Sequence, residues 1–181
     1  MKPLSEFSKT IKSARLKLSV IEPTQKNAES IFDIIEHNRD YLTAWQGHFG
    51  ELTTVDNVLE KLKHRHNQIA FNQGMLFGIY KNNTLIGRIR FFNIQDNSCE
   101  IGYWLAESEN GHGYMSEALA TLENKLFQFG FNKITLDIDH GNTKSESIAK
   151  RNGYTLEKIL PMTSWAKCVG ECDSLIYIKR K

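Results

Sequence analysis

EIGYWLAESENGHGYMSEAL, residues 100–119, is the most informative stretch of the chain. Cys99 to Leu105 alternates as a strand does, and a glycine-bearing turn follows. From about Gly113 the apolar residues Met115, Ala118, Leu119, Leu122, Leu126 and Phe129 recur at helical spacing. A strand thus runs through a turn into a long amphipathic helix. The first turn of a helix carries unpaired N–H groups and about half a positive charge from the macrodipole. Gly111 and Gly113 remove side-chain bulk at that end, so a phosphate or diphosphate could reach those N–H groups. The same glycines suit a plain tight turn, and on this pattern alone both uses stay open. A dinucleotide loop fits poorly, because Ser116 stands where its third glycine belongs and the loop follows a meander rather than a first βαβ unit. A Walker loop is excluded, since no G-x-x-x-x-G-K-[ST] occurs.

Upstream, residues 15–21 alternate like a strand, and Pro23 and Thr24 open a helix whose inner stripe is Ala28, Ile31, Phe32 and Ile35. A short helix or turn covers about 39–46. Thr53-Thr54-Val55-Asp56 reads as a capping box. Behind it Val55, Val58, Leu59, Leu62, His66, Ile69 and Ala70 share one helix face. Met75–Tyr80 and Thr84–Phe92 are strands joined at Asn82-Asn83, hairpin chemistry because Asn tolerates positive φ. A second turn at 95–98 leads into the strand from Cys99. Downstream, a strand at 133–139, a helix at 143–151 closed by Gly153, and strands near 154–160 and 172–179 complete the order β α α β β β α β α β β. Hairpin-paired middle strands exclude a doubly wound parallel sheet.

At 181 residues, with 40% hydrophobic residues, 3 Pro and no linker tract, the chain reads as one domain spanning 1–181. Lys plus Arg is 23 against 21 for Asp plus Glu, a net charge of +2, which makes no electrostatic case for a nucleic-acid partner. No run of about 18 apolar residues spans a membrane, and the amino terminus lacks the apolar core of a signal peptide; a cytoplasmic location is expected. Cys99, Cys168 and Cys172 lack metal-ligand spacing and read as reduced thiols, and His64-Arg65-His66 as a helix surface, so no metal is expected.

The segment 100–119 resembles the acetyl-CoA loop of the GNAT superfamily of N-acetyltransferases. More narrowly, it resembles the RimJ/RimL branch of ribosomal-protein N-terminal acetyltransferases. IGYWL at 101–105 running into GHGYMSEAL at 111–119 is similar to that branch's I-G-Y-W-L then G-x-G-Y-x-x-E-A. Asn142-Thr143-Lys144-Ser145, then Ile148 and Arg151-Asn152-Gly153-Tyr154, resembles its N-x-x-S-x-x-(I/V) then N-G-F. Asn38-Arg39-x-x-Leu42-x-x-Trp45 is similar to its substrate-side motif. The resemblance implies an α+β, GNAT fold: a mixed, mostly antiparallel sheet of about seven strands, flanked by helices and splayed between the fourth and fifth.

It further implies acetyl-CoA as cosubstrate and direct acetyl transfer to a primary amine. The pantetheine arm would pair with Tyr103, Trp104, Leu105 and Ala106, and a main-chain N–H near Trp104 or Leu105 would polarise the thioester carbonyl. The diphosphate would rest on the amides of Gly111, His112, Gly113, Tyr114 and Met115. Asn142 would reach the cofactor, and Ser145 would face the thiol as hydrogen-bond donor or else serve only as a first-turn helix serine. Trp45 would wall the substrate channel or anchor the core, and the helices near 24–48 with the 160–172 loop would shape the pocket. A homodimer is compatible with the family. The acceptor expected is a protein N-terminal α-amine; a small amine (polyamine, aminoglycoside or amino acid) or a noncatalytic acyl-CoA-binding role are the alternatives.

Three departures matter. The superfamily's Q/R-x-x-G-x-G/A loop here reads Asn110-x-x-Gly113-x-Met115, Ala149 stands where many relatives carry a Tyr acid, and Ser164 where the branch carries Glu. The base is then open. Glu100, on one strand face with Gly102 and Trp104, could hold a water that takes the proton or be an ordinary surface Glu; Asp137 and His140 are further candidates, and Tyr114 and Tyr154 are unplaced acids. A weak base favours an α-amine, pKa ~7.7–8.0, over Lys at ~10.4, because deprotonation at pH 7 costs about 1–1.4 rather than about 4.6 kcal/mol.

Overall fold

The computed structural model describes residues 2–181. Eight strands form one sheet: β1 (Thr10–Lys12), β2 (Lys17–Val20), β3 (Gly74–Lys81), β4 (Thr84–Gln95), β5 (Ser98–Leu105), β6 (Lys133–Asp139), β7 (Thr155–Ala166) and β8 (Gly170–Arg180). Their spatial order is β1-β2-β3-β4-β5-β6-β8-β7. Every neighbouring pair is antiparallel except β5–β6. That parallel pairing lasts only from Ser98 to Glu100 against Lys133 to Thr135. Beyond it the strands diverge, as expected for the fourth and fifth strands read from the sequence. The sheet has eight strands rather than about seven, because the segment before 15–21 folds back as a hairpin. Of β1 only Ile11 is half-buried, so no apolar alternation announced it.

Helices α1 (Gln25–His37), α2 (Arg39–Trp45) and α3 (Val55–Ala70) cover one face, with Ile31, Ile35, Leu42, Phe49, Val58 and Leu62 packed beneath them on Leu76 and Trp104. On the other face α4 (Tyr114–Phe129) seats Met115, Ala118, Leu119, Leu122 and Leu126 on Phe77, Ile89 and Phe91, and α5 (Thr143–Arg151) adds Ala149. No helix among the described residues is long and apolar enough to cross a membrane.

Local chemistry sets the boundaries. Asn82 and Asn83 (φ 48° and 66°), like Asp96 and Asn97 (49° and 59°), take the left-handed conformation that two-residue hairpins require. The α3 cap lies one residue later than the expected box: Thr54, not Thr53, accepts from the Asn57 N–H at 3.2 Å. Gly153, at φ 79°, closes α5; its N–H donates to the Lys150 carbonyl at 3.1 Å while the Tyr154 N–H reaches the Ala149 carbonyl at 3.0 Å. The 160–172 segment is a strand hairpin rather than a loop. Its tip folds over α2, where the Cys168 N–H donates to the Ala44 carbonyl at 3.3 Å.

Candidate active site

The divergence of β5 from β6 leaves main-chain groups facing a cleft. In an antiparallel ladder, residues whose N–H and C=O face the partner alternate with residues whose groups face away. The Ala106 N–H donates to the Ile86 carbonyl at 2.9 Å, so Ala106, Trp104 and Gly102 bond toward β4. Tyr103 and Leu105 therefore point their main-chain groups into the splay. Of the two amides offered by the sequence, that of Leu105 faces the cleft and that of Trp104 does not. The Tyr103 carbonyl accepts from Gln46 Nε2 at 3.1 Å, which ties the end of α2 to the same edge.

Three cavities run into one another along this edge. The first, about 260 Å³, lies among Tyr41, Trp45, Tyr103, Leu105, Asn142 and Ser145. It shares Leu105, Asn110, Met115, Thr143 and Lys144 with a groove of about 370 Å³ along Gly111, Gly113, Tyr114 and Ser116. On its other side it shares Trp45, Tyr103, Trp104, Asn142 and Ser145 with a chamber of about 190 Å³. Ser145 thus stands where the first cavity and the chamber meet.

The groove is built from the start of α4. Gly113 is its N-cap at φ 76° and offers no side-chain acceptor, so the N–H groups of Tyr114, Met115 and Ser116 keep no intrahelical partner. Gly111 sits at φ 82°, and a Cβ there would meet nothing within 4 Å. The glycines are thus required by conformation rather than by crowding from the rest of the fold. Lys144 and Arg151 of α5 line the far wall, Arg151 donating to Ser116 Oγ at 3.3 Å. Asn110 is already engaged, its Nδ2 donating to the Tyr41 hydroxyl at 3.1 Å. His112 lies outside the lining and offers its carbonyl to Arg15 at 3.0 Å.

Ser145 is in the first turn of α5. Its N–H donates to Asn142 Oδ1 at 3.2 Å, so Asn142 caps the helix while lining the cavity. The Tyr103 hydroxyl beside Ser145 is buried without a hydrogen-bond partner. Burial pushes that phenol up, and the neighbouring serine hydroxyl partly offsets the shift. The Trp45 ring packs over Gly141, its edge 3.5 Å from where a Cβ would stand, and forms wall to both cavities.

The chamber holds charge of both signs. Glu100, Asp137 and Asp139 line it. Burial, then Asp137, raises the Glu100 carboxyl, while the Asn93 amide bonded to it at 2.9 Å works the other way. Burial and Asp137 also raise Asp139, whose Oδ1 accepts from Ser164. Where the resembling branch carries Glu, this chain therefore has a serine bonded to a carboxylate brought by β6. Arg88 and Arg90 of β4 and His48 line the chamber as well. Burial and the surrounding cations Arg88, Lys61, Arg90 and Arg65 hold His48 down to about 3, so its neutral ring accepts from Arg88 Nη2 at 3.3 Å.

His140 and Tyr154 lie outside the three cavities. The Tyr154 hydroxyl is buried near Glu123, where burial and that carboxylate push it up. Tyr114 is beneath Lys81 and Arg15 at the groove's rim. Cys99 and Cys172 are buried, Cys168 exposed, and no metal-ligand cluster occurs among the described residues. Gln46, His48, Arg88, Arg90 and Asp139 were not anticipated. The signal available for the arginines was their period-two placement with Phe92, alternating with Gly87, Ile89 and Phe91 on the other face of the strand.

Comparison with known proteins follows the same lines. A family model described as an acetyltransferase (GNAT) domain matches residues 15–155. The ribosomal-protein-serine acetyltransferase of Escherichia coli (strain K12) is 39% identical over 88 residues, 47% of this chain and 49% of that protein. The match thus spans about half of that relative. YdaF of Bacillus subtilis (strain 168) is 26% identical over 146 residues, 78% of this chain and 79% of that protein. Among solved structures, RimL, a ribosomal alpha-N-protein acetyltransferase in complex with coenzyme A, superposes with a TM-score of 0.89 at 20% identity, covering 94% of this chain and 97% of that one.

Proposed function

The chain belongs to the GNAT acetyltransferase family, and from that premise we propose that it transfers acetyl from acetyl-CoA to a protein N-terminal α-amine of the ribosomal type. The observation that carries this reading is the Leu105 amide, free in the splay, at the end of a groove that begins at the uncapped amides of α4. An anion is held well by such amides, with Lys144 and Arg151 adding charge. Thus the residues present suit a diphosphate with an extended arm. When bound, acetyl-CoA supplies an activated acyl carbonyl and a thiolate of low basicity. The Leu105 N–H is disposed to stabilise charge on the carbonyl oxygen, and the Ser145 hydroxyl to donate to the departing sulfur. The amine enters from the chamber, where Glu100, directly or through a water, accepts its proton; Asp139 is the second carboxylate in reach of that role. Both carboxylates are raised by burial, which brings them toward the basicity of their task.

The α-amine is favoured over Lys by the energetics of deprotonation. It is also favoured by the names of two relatives, which act on ribosomal proteins. The test is initial rates of thiol release from acetyl-CoA with peptides bearing Ala, Ser or Met N-termini, beside the same peptides N-terminally blocked with only Lys free, and beside small amines. Faster acetylation of the α-amine is expected. Faster acetylation of Lys rejects the acceptor assignment, and coenzyme binding without thiol release from any amine leaves only an acyl-CoA-binding role.

A further inference from the structure

The arginine wall of the chamber is not explained by acetyl transfer. Arg88 and Arg90 belong to none of the ion pairs among the described residues. Arg88 rests on the rings of Phe49 and Trp104, 5.1 and 5.8 Å from their centroids, and its one polar contact is the neutral His48. Arg90 is held flat on Phe92 at 3.7 Å, and its Nη1 is buried with no hydrogen-bond partner. Gly102 stands directly opposite Arg90 in the ladder, where a Cβ would make an ordinary contact 3.6 Å from Arg90 Nε. Burying a guanidinium without a partner is costly, and aligning two of them multiplies the cost. Burial together with Arg90 and Arg65 depresses Arg88 to about 9, and burial with Arg65 depresses Arg90 to about 10. Glu100 is the one carboxylate felt by Arg90, and it bonds Asn93 instead.

Planar guanidinium forks match a carboxylate by two parallel hydrogen bonds, which Lys cannot do. The chamber also holds Ser145 and three carboxylates, so one small space brings guanidinium and carboxylate groups together. We infer that Arg88 and Arg90 form a carboxylate subsite, which selects amines carrying an acidic group within one or two residues of the reacting nitrogen. The inference rests on the acetyl-transfer reading of the same site and names the acceptor's class within it. A cavity of about 190 Å³ admits little more than the first residues of a chain, which sets the separation. In a peptide the group is an Asp or Glu side chain at the second or third position. In a free amino acid it is the α-carboxylate.

The experiment compares C-terminally amidated peptides that differ only by Asp or Asn at position two, or by Glu or Gln at position three. Two readouts are taken: kcat/KM with acetyl-CoA, and calorimetric affinity of each peptide for the protein saturated with CoA, which needs no turnover. The acidic peptide is expected to be preferred about 10- to 100-fold, the range of a charge-assisted hydrogen bond. In Arg90→Gln and Arg88→Gln the ratio collapses toward about 1 whatever the absolute rate, and Arg90→Lys retains part of it. Unaltered CoA affinity certifies that the variants are folded. An acidic preference in binding without turnover keeps the subsite and removes the transferase reading. Equal handling of acidic and neutral peptides, with or without turnover, overturns the subsite. Free serine or aspartate accepted better than any peptide identifies the α-carboxylate as its source.

Discussion

Replacement of Ser145 by Ala isolates the donor proposed for the leaving sulfur. Little else should change. The structural hydrogen bond of Ser145 is made by its N–H to Asn142, which Ala keeps, and Ala is the best helix former. The possible loss is bounded by the leaving group. A thiol of pKa ~8.5 leaves as thiolate with little help at pH 7, so full protonation is worth at most about 1.5 units, or about 2 kcal/mol, roughly 30-fold. The variant should therefore lose about 3- to 30-fold in kcat at pH 7, with KM for acetyl-CoA within about twofold, because the groove proposed for the coenzyme is untouched. The deficit should shrink as pH rises past about 8.5, where the thiolate needs no proton. Stopped-flow single turnovers with thiol capture, from pH 6.5 to 9.5, separate chemistry from product release. A loss beyond about 10³-fold, or a deficit undiminished at pH 9.5, would refute the donor role, since neither can arise from protonating a thiolate.

If Glu100 takes the amine's proton, only its ionised form is competent. Its pKa is raised by burial first and Asp137 second, so kcat/KM should fall with decreasing pH through a limb above the ordinary Glu range. Glu100→Gln should remove that limb and about 10²- to 10⁴-fold of rate; an unchanged limb that vanishes in Asp139→Asn instead transfers the role to Asp139. Gly111→Ala creates no clash but forces a β-carbon into the left-handed region, so it should cost about 1–2 kcal/mol in urea unfolding and weaken CoA binding. Gly111→Asn should recover most of both, and an Ala variant that binds CoA normally would show that the turn's conformation is irrelevant to the ligand. Glu117 is partly buried, which alone would raise it, but Ser13 Oγ at 2.6 Å and the Arg15 N–H and Nε at 2.8 and 2.6 Å hold it below the usual range. In the window between its two pKa values the unfolded chain binds more protons, so this contribution is present above the unfolded value and lost as pH falls through the folded one. Glu117→Gln should thus cost about 1–3 kcal/mol at pH 7 and progressively less in acid, read from denaturant midpoints.

What the sequence disclosed depended on whether a feature was local. The hairpins at Asn82-Asn83 and Asp96-Asn97, the end of α5 at Gly153, and the strand–turn–helix of 100–119 each follow from residues a few positions apart, and each is present. The one-residue error at Thr54 arose because Thr53 and Thr54 are chemically equivalent caps, and only the path of the chain distinguishes them. The hairpin of β7 and β8 escaped notice beyond 160 because β7 is an edge strand exposed on both faces, so no alternation marks it. The chamber was the least legible. Asp139 meets Ser164 across 25 positions, and His48 meets Arg88 across 40. Such proximity is created by strand order alone, and no spacing rule contains it.

The same separation explains why these unsatisfied groups persist. A buried polar atom without a partner destabilises a fold by about 1–3 kcal/mol, and native chains retain few of them. Six side chains among the described residues keep such atoms, and three of them, Arg90, Tyr103 and Trp104, line the cavities at the splay. The unpaired amide of Leu105 and the uncapped start of α4 lie along the same edge. Were the sheet closed there, β6 would satisfy the main chain of β5 and no groove would exist. The early end of pairing at Glu100 and Thr135 is therefore the structural decision from which the site follows. It costs stability in the isolated protein and concentrates donors for a coenzyme on one side and, through the arginines, for an acidic acceptor on the other.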